Sequence, residues 1–244
     1  ARRIFGSKDI YNPEHRGENA SVNFLNCHDG FTLWDMYCYS HKHNEANGWN
    51  NTDGTDDNRS WNCGWEGETD NENINKLRHR LCKNAMTTLL LSRGAPMFLA
   101  GDEFLNTQFG NNNTYCQDSP ISWLEWDQLE KNREHFRFTR YLIKFRNEHP
   151  VIRKHMGGCS LGFPDSWALG PDHTNVLRVI FAGRNADNTA DDIVCVAINV
   201  HWERQDCYLP ELPHYLCWQI ETDSSLEIYK AGFPDIRDKK EIAF

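Results

Sequence analysis

Two stretches, Ser21-Val22-Asn23-Phe24-Leu25-Asn26-Cys27-His28-Asp29-Gly30 and Ala95-Pro96-Met97-Phe98-Leu99-Ala100-Gly101-Asp102-Glu103, follow one pattern. Each reads as a short strand that ends abruptly in glycine and acid, and Gly beside polar residues marks a sharp exit from a strand. Each is followed by helical periodicity. After the first, Phe31–Tyr39 fits a short helix with Phe31, Trp34, Asp35 and Cys38 on one side. A longer helix is then predicted over Asn73–Arg93, with Ile74, Leu77, Leu81, Ala85, Thr88 and Leu89 at three- and four-residue spacing. Asp70 or Asn71 caps its start, and Gly94 and Pro96 stop it. The second strand leads to a helix over Glu134–Asn147, whose face is Phe138, Tyr141, Leu142 and Phe145 and which ends at His149-Pro150. Strand–loop–helix repeated in this way is the grammar of a βα-barrel, which keeps its active site at the carboxyl ends of its strands.

Beyond about Met156 the pattern changes. Asn175–Ala182, Ile193–Val200, Gln205–Leu209 and Tyr215–Glu221 are short and rich in β-branched or aromatic residues, and Gly183–Asp192 reads as a hairpin loop. Strands in series without intervening helices predict a sheet or sandwich. The expected division is therefore residues 1–155, α/β, followed by residues 156–244, all β. Between Ser40 and Asn75 the chain is polar and rich in Asn, Gly and Asp, yet holds Trp49, Trp61 and Trp65. A loop of that length is either functional or disordered, and the tryptophans favour an ordered, functional one.

Acids outnumber bases 35 to 26 in the 244 residues, for a net charge of −9, and no run of Lys or Arg is present. A nucleic-acid partner is excluded on that ground. No stretch approaches the roughly 18 apolar residues of a membrane span. The opening residues Ala1–Gly6 carry no apolar core of signal-peptide length, so a cytoplasmic location is expected. Nine cysteines occur without any Cys-x-x-Cys pair, and they read as reduced thiols. Aromatic residues make up 12% of the chain. With abundant Asn this suits a carbohydrate site, although composition alone favours a tryptophan-filled core or interface.

Asp29 and Asp102-Glu103, at the ends of successive strands, suggest a carboxylate pair that cleaves a glycosidic bond. An acid after a strand also serves to cap the next helix, and spacing alone leaves both readings open. His28, Asp29, His41, His43 and Glu45 have the chemistry of metal ligands. A calcium loop at Asp53–Asn58 fails, because its Gly follows the first ligand position instead of the third.

Longer motifs narrow the choice. Asn26-Cys27-His28-Asp29-Gly30-Phe31-Thr32-Leu33, His41-Lys42-His43-Asn44-Glu45-Ala46-Asn47-Gly48, Gly101-Asp102-Glu103-Phe104 and Gly110-Asn111-Asn112-Asn113-Thr114-Tyr115-Cys116-Gln117-Asp118 closely resemble glycogen debranching enzymes of the isoamylase type. These belong to the α-amylase superfamily of glycoside hydrolases. The resemblance runs from about Phe5 to Pro150 and continues more weakly through Asn199–Glu203. It implies hydrolysis of α-1,6 branch linkages in glycogen-like glucans, with retention. It also implies a fold made of the last two βα units of a TIM barrel and a carboxyl-terminal β-sandwich.

By that resemblance Asp29 is the third catalytic acid, which binds the hydroxyls of the sugar at the cleavage point and favours its oxocarbenium-like transition state. His28 hydrogen-bonds the same sugar, and Asn112, Asn113 and Tyr115 border the glucan cleft. Asp102 and Glu103 become structural. No metal and no cofactor is implied. The family's nucleophile and acid/base come from earlier strands that this chain does not contain, and retention needs both carboxylates, roughly 5–5.5 Å apart. The chain alone is expected to be inactive. Its first 155 residues should then be ordered through the amino-terminal barrel portion or through self-association. A non-catalytic carbohydrate-binding or assembly module is the competing class.

Overall fold

A computed structural model describes residues 2–16, 20–155, 159–164, 166–169, 175–225 and 241–243. They fall into two units. The first comprises 1–21, 91–95 and 144–244, and the second comprises 22–90 and 96–143. A single cut after residue 155 differs from this grouping, because residues 144–155 associate with the strands that follow them. The expected change of pattern at Met156 lies outside the described residues.

In the first unit, helices α1 (Pro13–Arg16) and α5 (Pro150–Arg153) accompany strands β3 (Ser166–Leu169), β4 (Val176–Arg184) and β5 (Asp191–Asn199). These strands form one antiparallel sheet in the order β3-β4-β5. The β4–β5 hairpin pairs Val176 with Asn199 at one end and Arg184 with Asp191 at the other, so its turn falls where the sequence places it. Val179, Ile180, Phe181 and Ala182 are all fully buried. A continuous apolar run suits a strand covered on both faces. Val151 and Ile152 of α5 join Val179, Phe181, Val194 and Val196 in one core. Each such side chain contributes about 1.5–3 kcal/mol relative to exposure. Arg93 lies over the Phe181 ring at 5.4 Å and donates from Nη2 to the Val151 carbonyl at 2.8 Å. Arg146 donates to the Ser92 and Gly94 carbonyls at 2.7 and 2.6 Å. Strand β6 (Asp206–Tyr208) pairs with β7 (Glu241–Ala243) in a separate two-stranded sheet. Tyr215–Glu221 is not a strand. A turn closed by the Leu216 N–H on the Pro213 carbonyl breaks the extended run.

The second unit holds β1 (Val22–Phe24), helix α2 (Glu72–Leu90), α3 (Asp127–Lys131) and most of α4 (Arg133–Glu148). Strand β2 (Ala95–Met97) pairs with β1, so the two strands are neighbours, though each is shorter than its apolar run. Asn71 is the cap of α2, its Oδ1 accepting from the N–H groups of Asn73 and Ile74 at 3.0 and 3.3 Å. The expected stripe on α2 is buried at Ala85 and Leu89, but towards the helix start the buried face is rotated by one residue. Arg78, Cys82 and Met86 are buried, whereas Leu77 and Leu81 are only half-buried. The carbonyls of Asn62 and Trp65 draw Arg78 inward. Phe31–Tyr39 contains only a single 3₁₀ turn over Asp35–Tyr37. Among the described residues no helix is long and apolar enough to cross a membrane.

Candidate active-site loops

Three loops of the second unit converge: 28–35, 40–66 and 106–117. Beyond β1, His28 Nε2 and Asp29 Oδ2 lie 3.4 Å apart, and their side chains are 86% and 75% exposed. The Gly30 N–H donates to the Asn112 carbonyl oxygen at 2.9 Å, which fixes the turn carrying Asp29 against the third loop. An exposed carboxylate and imidazole on a pinned backbone are free to meet a ligand.

The third loop is itself held by a carboxylate buried beneath it. Asp35 is fully buried and accepts from Thr107 Oγ1, from the Gln108 N–H at 2.8 Å and from the Gly110 N–H at 3.3 Å. Burial outweighs these hydrogen bonds and raises its pKa to about 6. Gly110 is in the left-handed region (φ 78°), and a Cβ there would come within 2.9 Å of both the Tyr39 and His43 rings.

Side-chain amides tie the second loop to the third. Asn44 Nδ2 donates to Asn112 Oδ1 at 2.8 Å, and Asn112 Nδ2 donates to the Thr55 carbonyl at 2.8 Å and to Asn58 Oδ1 at 2.6 Å. Asn47 and Asn113 both donate to Asp53 Oδ2, at 2.8 and 2.9 Å, and together they hold that carboxylate below its usual range. Gln117 Nε2 donates to Asn47 Oδ1 at 2.9 Å. The Asn-rich segment is therefore ordered by side-chain amides in place of secondary structure.

Glu66 braces the second loop internally. Burial pushes its carboxyl up, but donors from Ser40, Asn62, His41 and His43 outweigh that and hold it at about 2. His43 Nε2 lies 3.2 Å from Glu66 Oε1.

These contacts revise several expected roles. Asn112 is only 2% exposed, and its amide is taken up by Asn44, Thr55 and Asn58, so it holds the loops together and does not border a cleft. The Asn113 amide is engaged by Asp53, while Tyr115 is 74% exposed and presents its ring to solvent. Asp102 is 1% exposed and accepts from the N–H groups of Leu33 and Leu99 at 2.8 and 3.2 Å, a structural position. Burial, against hydrogen bonds from Leu33 and Asn26, raises its pKa to about 7. Glu103 accepts from the Gly101 N–H at 2.9 Å. Of the candidate metal ligands, His43 is committed to Glu66, and among the described residues no three His, Cys, Asp or Glu side chains converge. Asp35 is the site residue that sequence reasoning missed. Its signal was an acid on an otherwise apolar helix face.

No protein-family model matches the chain. In fold it is similar to pullulanases. The type I pullulanase of Bacillus subtilis str. 168, complexed with maltose, superposes with a TM-score of 0.66 at 20% identity, covering 99% of this chain and 29% of that one. The pullulanase of Anoxybacillus sp. LM18-11, complexed with maltotetraose, gives a TM-score of 0.64 at 18% identity, covering 100% and 28%. The chain thus has an α-amylase-type fold. In sequence it is 39% identical to the chloroplastic isoamylase 3 of Oryza sativa subsp. japonica across its whole length. It is 48% identical to the glycogen debranching enzyme of Dickeya chrysanthemi over 155 residues, 63% of the chain. It is a homologue of the isoamylases and glycogen debranching enzymes, and it spans 31% and 23% of the length of these two relatives.

Proposed function

We propose that this chain forms part of a glycoside hydrolase that cleaves α-1,6 branch linkages of glycogen-like glucans with retention. In this reading β1 and β2 are the last two strands of a (β/α)8 barrel extending to about residue 155, and residues 156–244 form a β-sandwich domain. The nucleophile and acid/base belong to the part of the relatives that this chain does not span. Asp29 binds two sugar hydroxyls and stabilises the oxocarbenium-like transition state, His28 donates to the same sugar, and Tyr115 offers an apolar face to a glucose ring. Asn113 borders the cleft. The nine free cysteines suit a reducing, cytoplasmic compartment.

One observation carries this reading: an exposed His28–Asp29 pair on a turn pinned by the Gly30–Asn112 hydrogen bond, in a chain homologous to debranching enzymes. The test is Asp29→Asn in the longest polypeptide that contains this chain, assayed on glycogen. The reading expects kcat to fall by about 10³ or more with folding unchanged, and no turnover from the 244 residues alone. Unchanged kcat would remove Asp29 from the reaction and leave a glucan-binding or assembly module as the better account. The exposed Trp49 and Tyr115 would then supply its binding face.

A further inference from the structure

Arg78 stands in α2 with no exposed surface. Its Nη2 donates to the carbonyls of Asn62 and Trp65 at 3.0 and 2.5 Å. Its Nε and Nη1 are buried and have no hydrogen-bond partner. The Cys63 thiol lies beside the guanidinium, but a thiol is only a weak acceptor. Among the described residues no carboxylate is paired with Arg78. Leaving a buried guanidinium without a countercharge is strongly unfavourable. Arg78 lies in the floor of a cleft of about 460 Å³, beside the buried Leu105 and Thr107.

The walls of that cleft are half-buried. Trp34 and His79 meet with ring centroids 5.0 Å apart and planes tilted by 45°, and the amides of Gln128 and Asn132 also line the cleft. Lys131, Glu68 and Asp70 are exposed at the mouth. One further cation, Lys83, acts on His79. His79 has a depressed pKa through burial together with Lys83 and Lys131. Burial, with His79 and Lys83, holds His135 neutral down to about 3. Arg78, Lys83 and Lys131 thus set three positive charges against Glu68 and Asp70 around this cleft, in a chain of net charge −9.

We propose that this cleft binds a sugar phosphate, with Arg78 and Lys131 receiving the phosphate monoester and Asn132 and Gln128 the hydroxyls. An oxyanion supplies the acceptors that Nε and Nη1 lack, and a neutral hydroxyl supplies no countercharge. A bare phosphate would leave most of the volume empty, and the aromatic and amide walls suit a pyranose ring and its hydroxyls. Glu68 and Asp70 sit in water at the mouth, where screening weakens them, and they disfavour a longer polyanion. This inference does not rest on the function proposed for Asp29.

The test is calorimetric titration of the chain with glucose 1-phosphate, orthophosphate and maltotriose. Saturable binding of glucose 1-phosphate is expected, with orthophosphate about tenfold weaker for want of the sugar contacts and maltotriose without effect. Lys131→Gln, at an exposed position, should weaken glucose 1-phosphate binding by about threefold at unchanged fold, and Arg78→Lys by about tenfold or more. If Arg78→Lys does not fold, Lys131→Gln decides, together with weaker binding at high salt. Absence of saturable binding by both phosphate probes, or affinity indifferent to Lys131→Gln and to salt, overturns the proposal. Maltotriose binding as tightly as glucose 1-phosphate also overturns it, in favour of a neutral glucan. Equal affinity for orthophosphate overturns its sugar half.

Discussion

Asn44 and Asn112 exchange two hydrogen bonds across the loops. Asn44 Nδ2 donates to Asn112 Oδ1 at 2.8 Å, and the Asn112 N–H donates back to Asn44 Oδ1 at 3.0 Å. Gly54 lies against this pair in the left-handed region, where a Cβ would come within 2.7 Å of Asn44 Nδ2. The reciprocal pair, the glycine beside it and the Gly30 bond to the Asn112 carbonyl make one joint behind Asp29.

Asn112→Ala should therefore act at a distance. It removes the acceptor Oδ1 from the buried Asn44 amide, at about 1–3 kcal/mol for an unsatisfied group, and with it the bonds to Thr55 and Asn58 at the loop surface. Urea unfolding should register a loss of about 2–4 kcal/mol, and amides 44–58 should exchange faster. A loss within the scatter of wild type would mean that water replaces the amide and that the joint is not structural.

Asp35 and Asp102 give stability an unusual pH dependence. Their pKa values rise from 3.8 to about 6 and about 7, because both carboxyls are buried. The unfolded chain releases these protons near pH 4, while the folded chain keeps them. Their contribution is fully present below pH 4 and is lost as pH rises through 6 and 7. For Asp35 the loss is on the order of 3 kcal/mol. Denaturant midpoints measured from pH 4 to 8 should show this decline, and Asp35→Asn should flatten its lower part. A slope unchanged in Asp35→Asn would remove Asp35 as its source.

Glu66 has the opposite sign. Its carboxyl is held at about 2 against an ordinary 4.5, through donors on Ser40, Asn62, His41 and His43 that outweigh burial. Its contribution is present above pH 4.5 and is lost as pH falls through about 2. Glu66→Gln should lower Tm by several degrees at pH 7, a change of about 1–2 kcal/mol. The two proteins should converge as pH approaches 2. A Tm difference that stays constant over the whole range would mean the Glu66 charge is immaterial.

What the sequence discloses and what it hides divide along a physical line. Helices α2 and α4 and the β4–β5 hairpin were legible within a few residues, because periodicity, an Asn cap and a contiguous buried run are local signals. The strands before Asp29 and Asp102 were located but overextended, since hydrogen-bond pairing, not composition, sets their ends. His28 and Asp29 are singled out as candidates only by their motif, since two exposed polar side chains carry no other local signal. The burial of Asp35 and the bracing roles of Asn44, Asn112 and Glu66 depend on partners many positions away. Asn112 shows the limit clearly: an Asn that faces a ligand and one that faces another loop look the same in sequence.

The last expectation concerns the sheet beside the site. Strands β1 and β2 form a two-stranded sheet that leaves Val22, Phe24 and Met97 exposed at 54%, 56% and 41%. Two strands are marginal in water without a covered apolar face, and open edges recruit further strands. The chain spans less than a third of its relatives, and in a complete barrel these strands would have further neighbours. On its own, the chain should therefore associate with copies of itself or take up the remainder of the barrel when that is supplied. Light scattering over a dilution series should show an average mass that falls with concentration. Hydrogen exchange should leave β4 and β5 protected, while β1 and β2 exchange early upon dilution. Val22→Lys with Phe24→Thr should reduce association and leave the β4–β5 protection unchanged. A monomer at every concentration, with β1 as well protected as β4, would refute this, because Val22, Phe24 and Met97 would then need no partner to stay ordered.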